Sequence, residues 1–146
     1  MMSDYEKLHG YFLEDLSVGM SEMFAKTVTE ADILMFAGVS GDTNPVHLNA
    51  EFAAKTMFKE RIAHGMLSAS FLSTIFGTRL PGPGAIYVSQ NLVFKAPVCI
   101  GDTVVASVIL REIKGRRVGF DCECRIGDTV VLEGDATLMV SKRPEK

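Results

Sequence analysis

His64-Gly65-Met66-Leu67-Ser68-Ala69-Ser70-Phe71-Leu72-Ser73-Thr74-Ile75-Phe76-Gly77-Thr78-Arg79 has no carboxylate, lysine or arginine before its last residue. The stretch reads as one long helix, stopped by Leu80-Pro81-Gly82-Pro83-Gly84. Its larger apolar residues, Met66, Leu67, Phe71, Leu72, Ile75 and Phe76, do not keep to one stripe, and the other positions are mostly Ser, Ala, Thr and Gly. A helix without a polar face has to be surrounded by protein. This one is too short for a bilayer, which takes roughly 20 apolar residues. Gly65, Ala69, Ser73 and Gly77 recur every fourth position, a ridge of small side chains that lets a neighbour approach the helix backbone closely.

What surrounds it is legible on both sides. Ser21 to Val28 alternates as a strand, with Met23, Ala25 and Thr27 on one face. Downstream, Ala85 to Pro97 reads as a strand. Thr103 to Ile113, Val118 to Ile126 and Thr129 to Val140 follow the turns Gly101-Asp102, Lys114-Gly115-Arg116-Arg117 and Gly127-Asp128. Long strands joined by short turns form an antiparallel meander. The expected architecture is α+β, an antiparallel sheet curled round one long helix. It forms a single domain over residues 1–146, with its core at about 17–140. Such a sheet keeps edge strands, so a homodimer is expected. Met1 to Leu16 reads as a loosely held start with His9 solvated, and Ser141 to Lys146 as a charged tail.

Thr29-Glu30-Ala31-Asp32 opens another helix, with a capping threonine and two acids in the first turn. Ile33, Leu34, Phe36 and Ala37 give it an apolar face, and Gly38 or Gly41 ends it. There follows Val39-Ser40-Gly41-Asp42-Thr43-Asn44-Pro45-Val46-His47-Leu48, which holds a carboxylate, a carboxamide and an imidazole close together. Pro45 keeps Asn44 from helical angles, and Asp42 and Asn44 both favour turns. A short helix from Asn49 to about Met57 comes next, capped by Asn49.

Composition narrows the class. Of the 146 residues 47% are hydrophobic and 23% charged, enough to bury a core, so disorder is excluded. A net charge of −3 argues against nucleic acid, and no apolar run suits a membrane. The three cysteines, Cys99, Cys122 and Cys124, are odd in number, and the first ten residues are polar, which points to a reducing cytoplasm. Cys122 and Cys124 share one strand face, and no second Cys-x-Cys pair or nearby His completes a tetrahedral metal set; they read as packing, and no metal site is expected.

Gly41-Asp42-Thr43-Asn44-Pro45-Val46-His47, Ile62-Ala63-His64-Gly65-Met66-Leu67, the Pro81-Gly82-Pro83-Gly84 turn and Phe94-Lys95-Ala96-Pro97-Val98 through Gly101-Asp102 together resemble the MaoC-like hydratases. More narrowly, they resemble the stand-alone (R)-specific enoyl-CoA hydratases. The resemblance spans roughly Thr29 to Val140. It implies a hot-dog fold, a dimer, and reversible syn addition of water to a trans-2-enoyl-CoA, with no cofactor beyond the CoA of the substrate. It places the catalytic pair on Asp42 and His47, a supporting group on Asn44, the amide that receives the thioester oxygen on Gly65, and a pocket-lining serine on Ser73.

That chemistry suits these residue types. An imidazole, with its ordinary pKa of about 6.5, can take a proton from water, while the carboxylate holds the same water and delivers the α-proton, or the two roles are reversed. Asn44 can fix either partner. The Gly65 amide, at a helix start, is an unsatisfied donor at the positive end of the dipole. Taken alone, the Asp42–His47 stretch also reads as a capped turn, and Ser73 as a hydroxyl bonding the preceding helical turn. His64 reads as orienting the helix start. An acyl chain running along Gly65, Ala69 and Ser73 would meet Phe76, which would favour short chains; ordinary packing against the sheet reads equally well. Three competing functions carry different signatures: a hot-dog thioesterase releases thiol, an acyl-carrier-protein dehydratase needs a basic docking surface, and an acyl-CoA-binding module turns nothing over.

Overall fold

The structure, a computed structural model, describes residues 1–145. The long helix is α5, Gly65–Thr78, with His64 and Arg79 as its caps. Strands β1 (Ser21–Thr27), β2 (Ile86–Phe94), β3 (Thr103–Lys114), β4 (Arg117–Ile126) and β5 (Thr129–Met139) form one sheet in the order β1-β3-β4-β5-β2. All pairings are antiparallel. The remaining helices are α1 (Asp4–Leu8), α2 (Glu30–Ser40), α3 (Pro45–Leu48) and α4 (Ala50–Ala54).

The sheet closes over α5 because its inward positions alternate as a half-buried sheet requires. Val104, Ala106, Val108 and Leu110 of β3 are buried, as are Phe120, Cys122 and Cys124 of β4 and Leu132, Ala136 and Leu138 of β5. They enclose Leu67, Phe71, Leu72, Ile75 and Phe76 of the helix. Cys122 and Cys124 do face the core together, and burial pushes their thiols up to about 11 and about 12. This is a hot-dog arrangement.

In β1 Met23, Ala25 and Thr27 do share one face, the exposed one; Phe24, on the other face, meets Phe71 edge-on at 5.9 Å. Other local expectations are corrected. In α2 the buried residues are Ile33 and Ala37, whereas Leu34 is 52% exposed. Gly41, at φ +79, ends that helix. Helix α4 stops at Ala54 rather than near Met57, where Thr56 Oγ turns back onto the Ala53 carbonyl. The N-terminal segment is not loose. His9 is half-buried and stacks on Phe12 at 3.9 Å, and the Gly10 and Tyr11 amides bond the Pro83 and Pro81 carbonyls. Arg143 of the tail pairs with Asp15 and covers the Phe12 ring. Of the tail, Lys146 lies outside the described residues.

Gly134 in β5 faces the Asn91 carbonyl of β2 so closely that an added Cβ would stand 1.8 Å from that oxygen. Because backbone cannot yield as a side chain can, Gly134→Ala is expected to cost about 1–3 kcal/mol, as overpacking does. Equilibrium denaturation of the variant against the native chain measures it.

Candidate active site

Helix α2 delivers the first functional group. Thr29 and Asp32 form a capping box at its start, and Gly41 in left-handed geometry turns the chain out of its end. Asp42 follows. Its backbone N–H donates to the Ser40 hydroxyl oxygen at 3.1 Å, and its carboxylate accepts the backbone N–H of Asn44 at 3.2 Å. The Asn44 side-chain oxygen accepts the Val46 amide at 3.1 Å and so caps α3. The expected turn holds a short helix, α3. Pro45 occupies its first position, where a missing N–H costs nothing, and Asn44 keeps to non-helical angles, as the residue before a proline does.

This short helix buries His47, which is 7% exposed. The His47 Nδ1 lies 2.7 Å from the Ile62 carbonyl oxygen. A carbonyl only accepts, so Nδ1 carries the proton and Nε2 is left with its lone pair. Arg61 holds the same helix from behind. Its Nε donates to the His47 carbonyl at 2.6 Å, and its two terminal nitrogens donate to the Glu30 carboxylate, each at 2.9 Å.

Helix α5 delivers the second group. The Ala63 amide bonds the Val98 carbonyl at 2.7 Å, which fixes where α5 begins. His64, its N-cap, donates from Nε2 to the Asp42 carbonyl at 2.9 Å and stacks on His47 with ring centroids 3.8 Å apart. Gly65 is the first helical residue, so its N–H has no acceptor within the helix. A Cβ on Gly65 would stand 2.7 Å from the Phe94 ring, so glycine is what keeps this amide accessible.

Between these elements lies a cavity of about 520 Å³. Met57, Phe58, Ile62, Val98, Val131 and Leu132 supply apolar wall, while Asp42, His64, Gly65 and Ser68 also line it. Asp42, His47 and His64 offer ligand atoms within 4.8 Å of one another, a distance that would suit a metal.

Of the expected site residues, Asp42 and Gly65 line this cavity; His47 lies within 4.8 Å of Asp42 without lining it, Asn44 bonds the Asp42 carboxylate, and Ser73 and Phe76 lie elsewhere. Ser73 is on the exposed side of α5, and Phe76, 1% exposed, packs between Tyr87 and Phe120 in the core. Neither lines the cavity of the single chain. The serine that does is Ser68, 2% exposed, whose hydroxyl has no hydrogen-bond partner among the described residues. Spacing along the helix could have offered it, being three residues from Gly65 on the same face.

A family model described as a MaoC like domain matches residues 18–133. The chain belongs to the MaoC-like family. Among relatives, an (R)-specific enoyl-CoA hydratase from Rhodospirillum rubrum is 54% identical over 91% of this chain and 94% of its own length. A 3-hydroxybutyryl-CoA dehydratase from Methylorubrum extorquens is 47% identical over 95% of this chain and 90% of its own. Among solved structures, the unliganded R-hydratase PhaJ1 from Pseudomonas aeruginosa superposes with a TM-score of 0.87 at 39% identity. It covers 93% of this chain, which spans 89% of that one. The MaoC-like fold therefore includes the hot-dog arrangement described above.

Arg61 ties α2 to the helix that carries His47. A hydrogen bond to a charged group contributes about 1.5–3 kcal/mol, so Arg61→Met is expected to lower stability by about 2 kcal/mol. Glu30→Gln, which spares the bond to the His47 carbonyl, is expected to cost less. Urea melts of both variants test the order.

Proposed function

We propose that this MaoC-like protein is an (R)-specific enoyl-CoA hydratase, a hydro-lyase that adds water reversibly to trans-2-enoyl-CoA to give (R)-3-hydroxyacyl-CoA. The observation that carries the reading is convergence. A carboxylate and a free helix-start amide line one largely apolar cavity, and an imidazole with a free lone pair lies within 4.8 Å of that carboxylate, stacked on the His64 ring that lines the same cavity. The 54% identity to an (R)-specific enoyl-CoA hydratase supports it.

In this reading the thioester oxygen lies on the Gly65 N–H, at the positive end of α5, where an enolate is stabilised as it forms. Water sits between Asp42 and His47. Its oxygen adds to the β-carbon as His47 Nε2 takes its proton, and the Asp42 carboxyl gives a proton to the α-carbon from the same face, which makes the addition syn. Proton return from His47 to Asp42 closes the cycle. The tautomer imposed by the Ile62 carbonyl favours His47 as the base. Asn44 acts through its amide, which holds the Asp42 carboxylate in place.

The working form is a homodimer. Strand β2 lies at one edge of the sheet with Ile86, Tyr87, Val88, Val93 and Phe94 exposed, and an open apolar edge pairs readily with a second copy. The α5 face carrying Gly65, Met66, Ser73 and Gly77 is also uncovered in a lone chain, as is Asp42, and a partner would exclude water from both. Three free thiols suit the cytoplasm, and no helix among the described residues is long and apolar enough to cross a membrane.

Crotonyl-CoA hydration with chiral analysis of the product is the test. Loss of enoyl absorbance without thiol release, yielding the (R) isomer, is expected; thiol release or the (S) isomer overturns the reading. Asp42→Asn and His47→Ala are each expected to lose about 10²–10⁴-fold in rate while sedimenting as the native dimer. Gly65→Ala is expected to fold, because the half-exposed Phe94 ring can shift, and to lose on the order of 10²-fold in kcat.

A further inference from the structure

We infer that His64 is a positioning residue that locks the proton-handling pair to the carbonyl-binding helix start. The inference rests on the reading of Asp42 and His47 given above. It stands on three contacts made by one side chain and on the place of its backbone. His64 is 2% exposed. Its Nε2 lies 2.9 Å from the Asp42 carbonyl oxygen, its ring stacks on His47 at 3.8 Å and 28°, and Phe36 of α2 closes the site at 4.8 Å. Through its own backbone it is the N-cap of α5, next to Gly65.

These contacts fix its tautomer. The Asp42 carbonyl can only accept, so Nε2 carries the hydrogen and Nδ1 keeps the lone pair. The face of the ring lies on His47 and sets the plane of that imidazole. It therefore does two separable things: its N–H anchors the Asp42 backbone, and its ring holds His47 in orientation.

Two variants separate them. His64→Gln keeps an N–H donor and loses the ring, whereas His64→Phe keeps a ring and loses the donor. Both are expected to lose about tenfold or more in kcat for crotonyl-CoA with KM within about twofold. Native kcat in both variants, or a loss carried by KM with kcat unchanged, overturns the inference. The native chain gives an independent reading. Imidazole ¹⁵N resonances are expected to show an Nε2–H tautomer for His64, assigned by its absence from the variants or, should these not fold, by its contact with Phe36. The Nδ1–H tautomer at His64 also overturns it. Hydration by the native chain, present or absent, decides the underlying reading separately.

Discussion

A helix with no charged side has nowhere to sit except inside its own protein, and α5 is such a helix. Leaving Leu72, Ile75 and Phe76 in water would forfeit about 1.5–3 kcal/mol each, so the sheet has to bend round them. That bending has a chemical consequence. It carries the start of α5, with its unsatisfied N–H groups, into a wall of apolar side chains from β5 and the segment around Val98. A helix terminus in water is screened and solvated. The same terminus set against an apolar wall is a directed donor, and its dipole is less screened there.

Two imidazole–carbonyl bonds then decide how the site can handle protons. The Ile62 carbonyl holds Nδ1 of His47, and the Asp42 carbonyl holds Nε2 of His64. Because each acceptor is backbone, neither can exchange roles with its partner, as a serine or a water could. Each ring is thereby confined to one neutral tautomer. The bonds also span the chain, since His47 is anchored to the segment leading into α5, and the α5 cap is anchored back to the loop after α2. The carboxylate, the imidazole and the helix start are held in one frame by reciprocal contacts.

The sequence exposes one half of this arrangement better than the other. The helix, the four long strands and the capping signals at Thr29 and Asn49 were readable because each depends on local periodicity or on a cap within three residues. The grouping of Asp42, His47 and Gly65 was accessible only through family resemblance. Nothing in the spacing between residues 47 and 64 says that two rings stack. Helix α3 is hidden in the sequence because a proline argues against helix everywhere except at the first position. Ser68 is hidden for a different reason. A period-four ridge identifies which residues are small, but not which side of the helix the sheet will cover. That is set by strands β3 to β5, far along the chain, and their curl puts Ser68 at the cavity and Ser73 on the open face.

The open face is itself a physical problem. Strand β2 leaves a row of unpaired backbone groups beside exposed Ile86, Val93 and Phe94, and a flat apolar edge of that kind invites uncontrolled pairing. No lysine, proline or bulge-rich stretch blunts its outer half, Ile86 to Asn91, apart from one irregularity between Tyr87 and Ser89. At the other end of β2, Phe94 lies against Gly65, so whatever covers that edge also bears on the start of α5. In the homodimer proposed above, pairing with a second copy would answer both difficulties at once. It would satisfy the edge and shield the side of α5 and the Asp42 carboxylate that one sheet does not cover. Assembly and the proposed chemistry would then share the same residues.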